Sequence, residues 1–476
     1  METIKYFECL NKNNSGASLF NLSEKLKEIE VTKSLCPVCL DPLPAKLVTN
    51  GSSVYVDKVC TVHGRFLALI SSDAKRYLAS SKLVYKTTPY AQPATEVKRG
   101  CPLDCGLCPE HKQHTCLAIL EITGNCNLCC PTCLASSQAK GGFMIAMDEF
   151  KDALISLLAH EGRATPLQLS GGEPTIHPDI VSFIAEARRL SFKYVEINTN
   201  GIALAKRPEL AKAYAEAGLN GIYLQFDGVS DDVYRRLRGA DLFRIKEEAI
   251  HNAKKAGLNV VLAVTAVKGV NDHQLWEIVR YGLKRGVNGV NFQPFAMQGR
   301  YPNTQSNPLK RITNYDVAHI IEVQSSGMIK TDDFLPIPCA DPRCQIMAYL
   351  SVGKKSVIPL SRLIDKQNIH EYYRSFTDSD QMTSAIKELR KTLNDLCGCS
   401  STPDVCCFPT PEPNARFFAL SSHAMMDVWN ADIHRLERCC IHELTPDGKL
   451  IPFCLYNYTS TEGVSLYRNN AKELSH

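Results

Sequence analysis

Three cysteines, Cys126, Cys130 and Cys133, stand in a C-x3-C-x2-C pattern within Thr123–Leu134 (TGNCNLCCPTCL), directly after the apolar run Cys116–Ile122. Thiolates so spaced can each bind one iron of a cubane [4Fe-4S] cluster and leave the fourth iron without a protein ligand. A substrate or cofactor can then coordinate that iron. The same residues carry two alternatives: a closed four-thiolate site completed by a distant cysteine, and a shifted set that uses Cys129 in place of Cys130.

Such a loop needs a scaffold, and the surrounding chain supplies one. From about residue 116 to 295, apolar strands alternate with amphipathic helices. The strands are expected at Cys116–Ile122, Leu167–Ser170, Tyr194–Asn198, Gly221–Phe226, Asn259–Val267 and Val290–Phe295. The helices are expected at Met147–His160, Pro178–Leu190, Pro208–Ala217, Arg244–Ala256 and Asp272–Arg285. Strict alternation predicts a parallel sheet with right-handed crossovers, here an α/β fold built as an open, partial (β/α)6 TIM-like barrel. Chemistry in such barrels sits at the C-terminal ends of the strands. The cysteine loop follows the first strand, and polar groups end the others: Ser170-Gly171-Gly172-Glu173-Pro174, Asn198-Thr199-Asn200-Gly201, Gln225-Phe226-Asp227-Gly228 and Gln293-Pro294-Phe295, with Arg300 just beyond. The glycines let backbone approach a ligand, and Glu173 can accept hydrogen bonds from an ammonium group.

The chain holds 21 cysteines in 476 residues, in clusters with knuckle spacings that favour metal ligation over disulfides. Residues 1–98 read as an N-terminal β-ribbon metal-binding module, with Cys36, Cys39, Cys60 and His63 on two knuckles suited to zinc or a single iron. Cys101, Cys105 and Cys108, with Cys116 close behind, have ferredoxin-like spacing. They form an auxiliary cluster or complete the N-terminal site. Residues 99–300 hold the barrel, and 301–476 a linker and a C-terminal cysteine-rich auxiliary-cluster domain. In that domain Cys339, Cys344, one of Cys439 and Cys440 (Cys440 is taken here) and Cys454 make a four-thiolate set. A helix is expected over Asp380–Leu396, and Leu444–Phe453 reads as a hairpin. The roles of Cys129, Cys397, Cys399, Cys406 and Cys407 stay open. A net charge of +4 is too small to argue for nucleic acid. No apolar run is long enough to span a membrane and no signal peptide is evident, so a cytoplasmic location is expected, with peripheral membrane contact compatible.

Cys126/Cys130/Cys133, Ser170–Pro174, Asn198–Gly201 and the strand order resemble the radical S-adenosylmethionine (SAM) superfamily over roughly residues 112–300. Thr132 departs from it, standing where many members carry an aromatic. The resemblance implies a [4Fe-4S] cluster on the three cysteines, with the SAM amine and carboxylate on the open iron. Gly171, Gly172 and Glu173 would hold the amine and Asn198, Thr199 and Asn200 would lie near the ribose, with Gln225 and Asp227 also on the cofactor rim. Reductive cleavage of SAM then gives a 5′-deoxyadenosyl radical that attacks unactivated C–H bonds. The outer cysteine order further resembles the archaeal tetraether lipid synthase group and its bacterial relatives, members of which are also linked to pterin-precursor methylation. That implies auxiliary [4Fe-4S] clusters, a rubredoxin-like iron, and a low-potential electron donor such as ferredoxin or flavodoxin. The leading expectation is coupling of lipid chain termini. The alternatives are methylation of a pterin precursor, peptide modification, and a non-catalytic redox protein.

Overall fold

The N-terminal module is a four-stranded antiparallel meander of β1 (Lys27–Leu35), β2 (Pro42–Thr49), β3 (Val54–Cys60) and β4 (Gly64–Ser71) in a computed structural model. The structure describes residues 26–83, 85, 87–302, 307–338, 341–364 and 415–468. The helix expected over Asp380–Leu396, the cysteines from Cys397 to Cys407, and Cys339 all lie outside them. Alternation buries Ala45, Leu47, Val54, Val56, Ala68 and Ile70 against Tyr77 of the helix Ala74–Ser81. One metal knuckle lies between β1 and β2, the other between β3 and β4, where Gly64 takes a φ of +82°.

A buried lysine fastens this ribbon to the C-terminal part of the chain. Lys58 Nζ donates to Ser34 Oγ (3.0 Å) and to the Val428 carbonyl (2.6 Å). Burial brings its pKa down to about 7, against the pull of Asp427 and Cys36. Two acceptors match the two N–H bonds of a neutral amine. Because the folded pKa lies below the unfolded one, the unfolded chain binds more protons between about pH 7 and 10.5, and stability rises with pH across that window. Lys58→Met is expected to flatten that rise. Denaturant titrations at a series of pH values would measure it, and an unchanged slope would refute the assignment.

The expected barrel strands form with ends shifted by at most one residue: β5 (Leu117–Thr123), β6 (Leu167–Gly171), β7 (Val195–Thr199), β8 (Gly221–Gln225), β9 (Asn259–Ala266) and β10 (Gly289–Pro294). All neighbours in this series pair in parallel. The sheet does not stop at six. Short antiparallel β11 (Leu335–Pro336), β12 (Gln345–Val352) and β13 (Val357–Pro359) lead to β14 (Arg416–His423), which runs parallel to β10. At the other edge β15 (Ile441–Leu444) runs parallel to β5 and turns back as β16 (Leu450–Pro452), the hairpin expected from Asp447-Gly448. Eight strands are therefore parallel, because the edges of the six-stranded sheet carry unpaired N–H and C=O groups that β14 and β15 satisfy. Both extra strands come from the stretch expected to hold only linker and auxiliary domain.

Along each barrel strand one set of residues packs on the helices. Leu120, Leu169, Ile197, Leu224, Leu262 and Phe292 join Phe150, Phe183 and Tyr214 in the main core. The alternate residues face the barrel axis and are largely polar. Gln168 Nε2 donates to Glu196 (2.6 Å), Gln293 Nε2 to Tyr223 Oη (3.0 Å), and Asn291 Nδ2 to Ser421 Oγ (2.8 Å). The interior is thus a hydrogen-bonded layer spanning β6 to β14. No helix among the described residues is long and apolar enough to cross a membrane.

Candidate active site and metal centres

The cysteine loop is held by its own backbone and by two arginines. Gly172 N–H donates to the Thr123 carbonyl (2.7 Å), and Glu173 N–H to that of Asn125 (2.8 Å). Gly171, at φ +124°, and Gly172 lie so close to the loop that added Cβ atoms would stand 2.2 Å from Thr123 O and 2.1 Å from Asn125 O. The close approach expected toward a ligand is therefore also an approach of the chain to itself. Gly172→Ala must push the loop backbone away, an overpacking cost of about 1–3 kcal/mol, and is expected to lower cluster content and SAM cleavage together. Iron assay and 5′-deoxyadenosine quantitation would check this, and full values of both would exclude it.

Arg300 Nε donates to the Cys130 carbonyl (2.9 Å), Nη2 to that of Ser137 (3.1 Å), and its backbone exchanges hydrogen bonds with Cys133. Arg238 Nη1 donates to the Thr132 carbonyl (2.9 Å), while Nε and Nη2 grip Asp227 at 2.7 and 2.9 Å. The arrangement separates the candidate thiols. Cys126 and Cys130 are buried and Cys133 half-buried, whereas Cys129 is exposed. Burial pushes the Cys126 thiol up to about 12, with Glu173, Cys130 and Cys133 adding to it. Such crowded thiols become thiolates only when metal displaces their protons, which is the donor chemistry a cluster requires.

The rim residues expected to meet a cofactor serve a different purpose in several cases. Glu173 is buried, and its Oε1 accepts from Thr175 N (3.1 Å), Thr175 Oγ1 and Thr199 Oγ1 (2.6 Å), while Oε2 accepts from Asn200 N (2.7 Å). Its carboxylate joins the end of β6 to that of β7. Thr199 is committed to it. Asp227 is saturated by Arg238, Thr265 N (3.1 Å) and Gln225 Nε2, and Gln225 Oε1 accepts from Lys246 Nζ (2.8 Å). Gln225 and Asp227 thus brace the rim, because a buried carboxylate needs a partner and Arg238 is the one at hand. Asn200 donates to Asn127 Oδ1 (2.7 Å). Asn198 stays half-buried at the mouth, with a 3.3 Å donation to Ser170 Oγ. Arg238 and Lys246 were not singled out by the sequence. Arg238 is one of three arginines in Tyr234–Arg238 (YRRLR), and nothing in that run marks which one turns inward.

Cys36, Cys39, Cys60 and His63 bring four ligand atoms within 4.8 Å of one another. His63 Nδ1 lies 3.5 Å from Cys36 Sγ and 3.4 Å from Cys60 Sγ. Zinc–ligand bonds of 2.0–2.3 Å at tetrahedral angles put sulfur and nitrogen about 3.5 Å apart, so the ribbon site fits a single tetrahedral ion. Cys101, Cys105 and Cys108 also come together. Cys105 is pushed well up by the hydrogen bond to Cys101, by burial, and by Cys108 and Cys439 nearby. Cys439 adjoins this group and also lies beside Cys454, Cys440 and Cys344. Cys116 Sγ lies 3.5 Å from His114 Nε2. Cys344, Cys440 and Cys454 form the remaining group. Burial raises Cys440 and Cys454 to about 12, and Cys344 adds to both. Arg435 Nη2 lies 3.1 Å from Cys344 Sγ.

Known proteins match this arrangement. The model of the radical SAM superfamily matches residues 120–282, and that of the HMPTM N-terminal zinc ribbon domain matches residues 28–72. A 7,8-dihydro-6-hydroxymethylpterin dimethyltransferase of Methanocaldococcus jannaschii is 34% identical over 472 residues, covering 90% of this chain and 93% of the relative. A GTP 3′,8-cyclase of Limosilactobacillus fermentum is 31% identical over 190 residues, 38% of this chain and 54% of that one. Among solved structures, Streptococcus suis SuiB bound to precursor peptide SuiA covers 45% of this chain and 46% of its own, with 14% identity and a TM-score of 0.37. Near-complete coverage by the first relative, ribbon included, places the chain in the radical SAM superfamily, in the family of that pterin dimethyltransferase.

Proposed function

We propose that the chain is a radical SAM methyltransferase acting on a pterin precursor. The observation that carries this is the near full-length similarity to the Methanocaldococcus jannaschii enzyme, through both the barrel and the ribbon. The barrel interior supports it. Gln168, Glu196, Tyr223, Asn291, Gln293 and Ser421 present donors and acceptors, and Asn291 Oδ1 is buried with no hydrogen-bond partner. Most of these groups already pair with one another, and an apolar chain end would leave Asn291 Oδ1 desolvated at about 1–3 kcal/mol. A heterocycle with ring N–H groups would donate to it. Lipid coupling, the leading expectation from sequence, gives way to pterin methylation on these grounds.

When bound, the cluster and SAM supply a one-electron reductive cleavage that yields the hydrogen-abstracting radical. Cys126, Cys130 and Cys133 would hold the cluster, and Arg238 and Arg300 keep their loop in register by engaging its carbonyls. Glu173, through Thr199 and Asn200, holds the ends of β6 and β7 at a fixed separation, so the mouth is shaped before any ligand arrives. Cys101, Cys105 and Cys108 would hold one auxiliary cluster, Cys344, Cys440 and Cys454 would contribute to another, and Cys439 lies beside both groups. A low-potential donor of the ferredoxin or flavodoxin kind would supply the electrons. The ribbon site would hold zinc, given its three sulfurs and one imidazole.

The test is anaerobic incubation of reconstituted protein with SAM, a strong reductant and 6-hydroxymethyl-7,8-dihydropterin. Mass spectrometry should find methyl groups added to the pterin. Abundant 5′-deoxyadenosine with an unmodified pterin would overturn the substrate assignment and keep the superfamily chemistry.

A further inference from the structure

Beside the C-terminal ends of β9 and β10 lies a cavity of about 290 Å³ whose lining includes Lys268, Lys310 and Arg311 together with Phe295 and Met297. Among the described residues, no acidic side chain lines it. Neither Lys268 nor Lys310 makes an ion pair among the described residues. Both are exposed, Lys268 on the turn after β9 and Lys310 on the turn whose N–H donates to the Asn307 carbonyl (3.1 Å). The wall behind them is rigid. Arg311 pairs with the buried Asp427 at 2.9 Å, and Asp427 also accepts from Met297 N–H (2.8 Å). One arginine nitrogen, Nε, is buried without a hydrogen-bond partner among the described residues. Two uncompensated ammonium groups, a fixed guanidinium and an aromatic side chain thus meet at the barrel mouth, where strand ends face the reacting molecule.

We propose that this cavity is an anion subsite, holding the phosphate or carboxylate end of an organic substrate whose reacting part lies in the barrel mouth. Lysines act on such groups as mobile point charges, and Phe295 with Met297 offers an apolar surface for the carbon skeleton beside the charge. The volume suits one anionic group and a small adjoining fragment, not a whole cofactor. The pterin named in the relative's activity carries no negative charge. Under the pterin reading the subsite therefore takes a phosphorylated form of that substrate or a second, anionic substrate. The inference rests on the cavity and on chemistry at the mouth, and pterin methylation is tested apart from it.

Calorimetric titration of the reconstituted full-length protein with inorganic pyrophosphate, and separately with tricarballylate, separates phosphate from carboxylate ligands. Saturable binding of at least one probe is expected, weakened by added salt and by at least about tenfold in the K268Q/K310Q double variant. Formation of 5′-deoxyadenosine from SAM and reductant alone should match that of the unaltered protein, since neither lysine touches the cysteine loop. Tighter pyrophosphate binding assigns a phosphate ligand, and tighter tricarballylate binding a carboxylate. Absence of saturation with both probes, or equal affinity in the double variant, overturns the subsite. A chain that binds anion yet leaves the pterin unmethylated sinks the pterin reading and leaves the subsite in place.

Discussion

Exchanging Cys130 for alanine is expected to abolish 5′-deoxyadenosine formation and to lower bound iron by one cluster, while the ribbon metal stays at one ion per chain. Three ligands hold an open cubane with none to spare, so losing one leaves two irons without protein thiolates. Cys129→Ala is the control. Its exposed side chain lies one residue away and should leave iron content and SAM cleavage intact. Equal losses in the two variants would mean that Cys129 belongs to the ligand set after all. Iron and sulfide assays with electron paramagnetic resonance on anaerobically reconstituted protein read both outcomes.

Arg238→Met is expected to be the most damaging change that touches no thiol. It strands Asp227, fully buried, without a counter-ion, and breaking such a pair costs about 3–5 kcal/mol. It also removes the donor to the Thr132 carbonyl, so the cysteine loop loosens where Cys133 begins. Denaturant unfolding should fall by that amount, and reconstituted clusters should be lost faster under mild chelation. An Asp227→Asn/Arg238→Met double variant should recover much of the stability, because both partners of the buried pair are then neutral, without recovering cluster retention. If the single variant were as stable as the parent, the Arg238–Asp227 pair could not be what braces this rim.

Six barrel strands and five of the helices were legible because apolar spacing switches cleanly between two-residue and helical periods, with glycines and polar clusters marking the ends. The three cluster cysteines were legible for a similar reason, since their spacing is local. The ribbon site needed two distant knuckles, yet the alternating β3 segment between them brought Cys60 and His63 back to Cys36. Less local features were hidden. Strand β14 (RFFALSSH) alternates weakly, and its place beside β10 depends on a sheet edge that no local pattern describes. Cys439 adjoins Cys440 in sequence, and only the fold brings Cys439 beside both Cys105 and the Cys344 and Cys454 thiols. Glu173 was assigned to a ligand because its type suits an ammonium group, and what the sequence did not show is that its carboxylate also accepts from Thr175 after β6, Thr199 on β7 and Asn200 beyond it.

The two strands that finish the parallel sheet impose an order on synthesis. Leu117 must wait for Ile441, and Gly289 for Ala419, before either sheet edge is satisfied. Contacts so distant along the chain form slowly, and until they form both edges are free to pair with other chains. Docking of β15 on β5 and of β14 on β10 closes the two edges. Pulsed hydrogen exchange during refolding should find the β5 edge protected last, after β6 through β9, and early protection there would reverse the order.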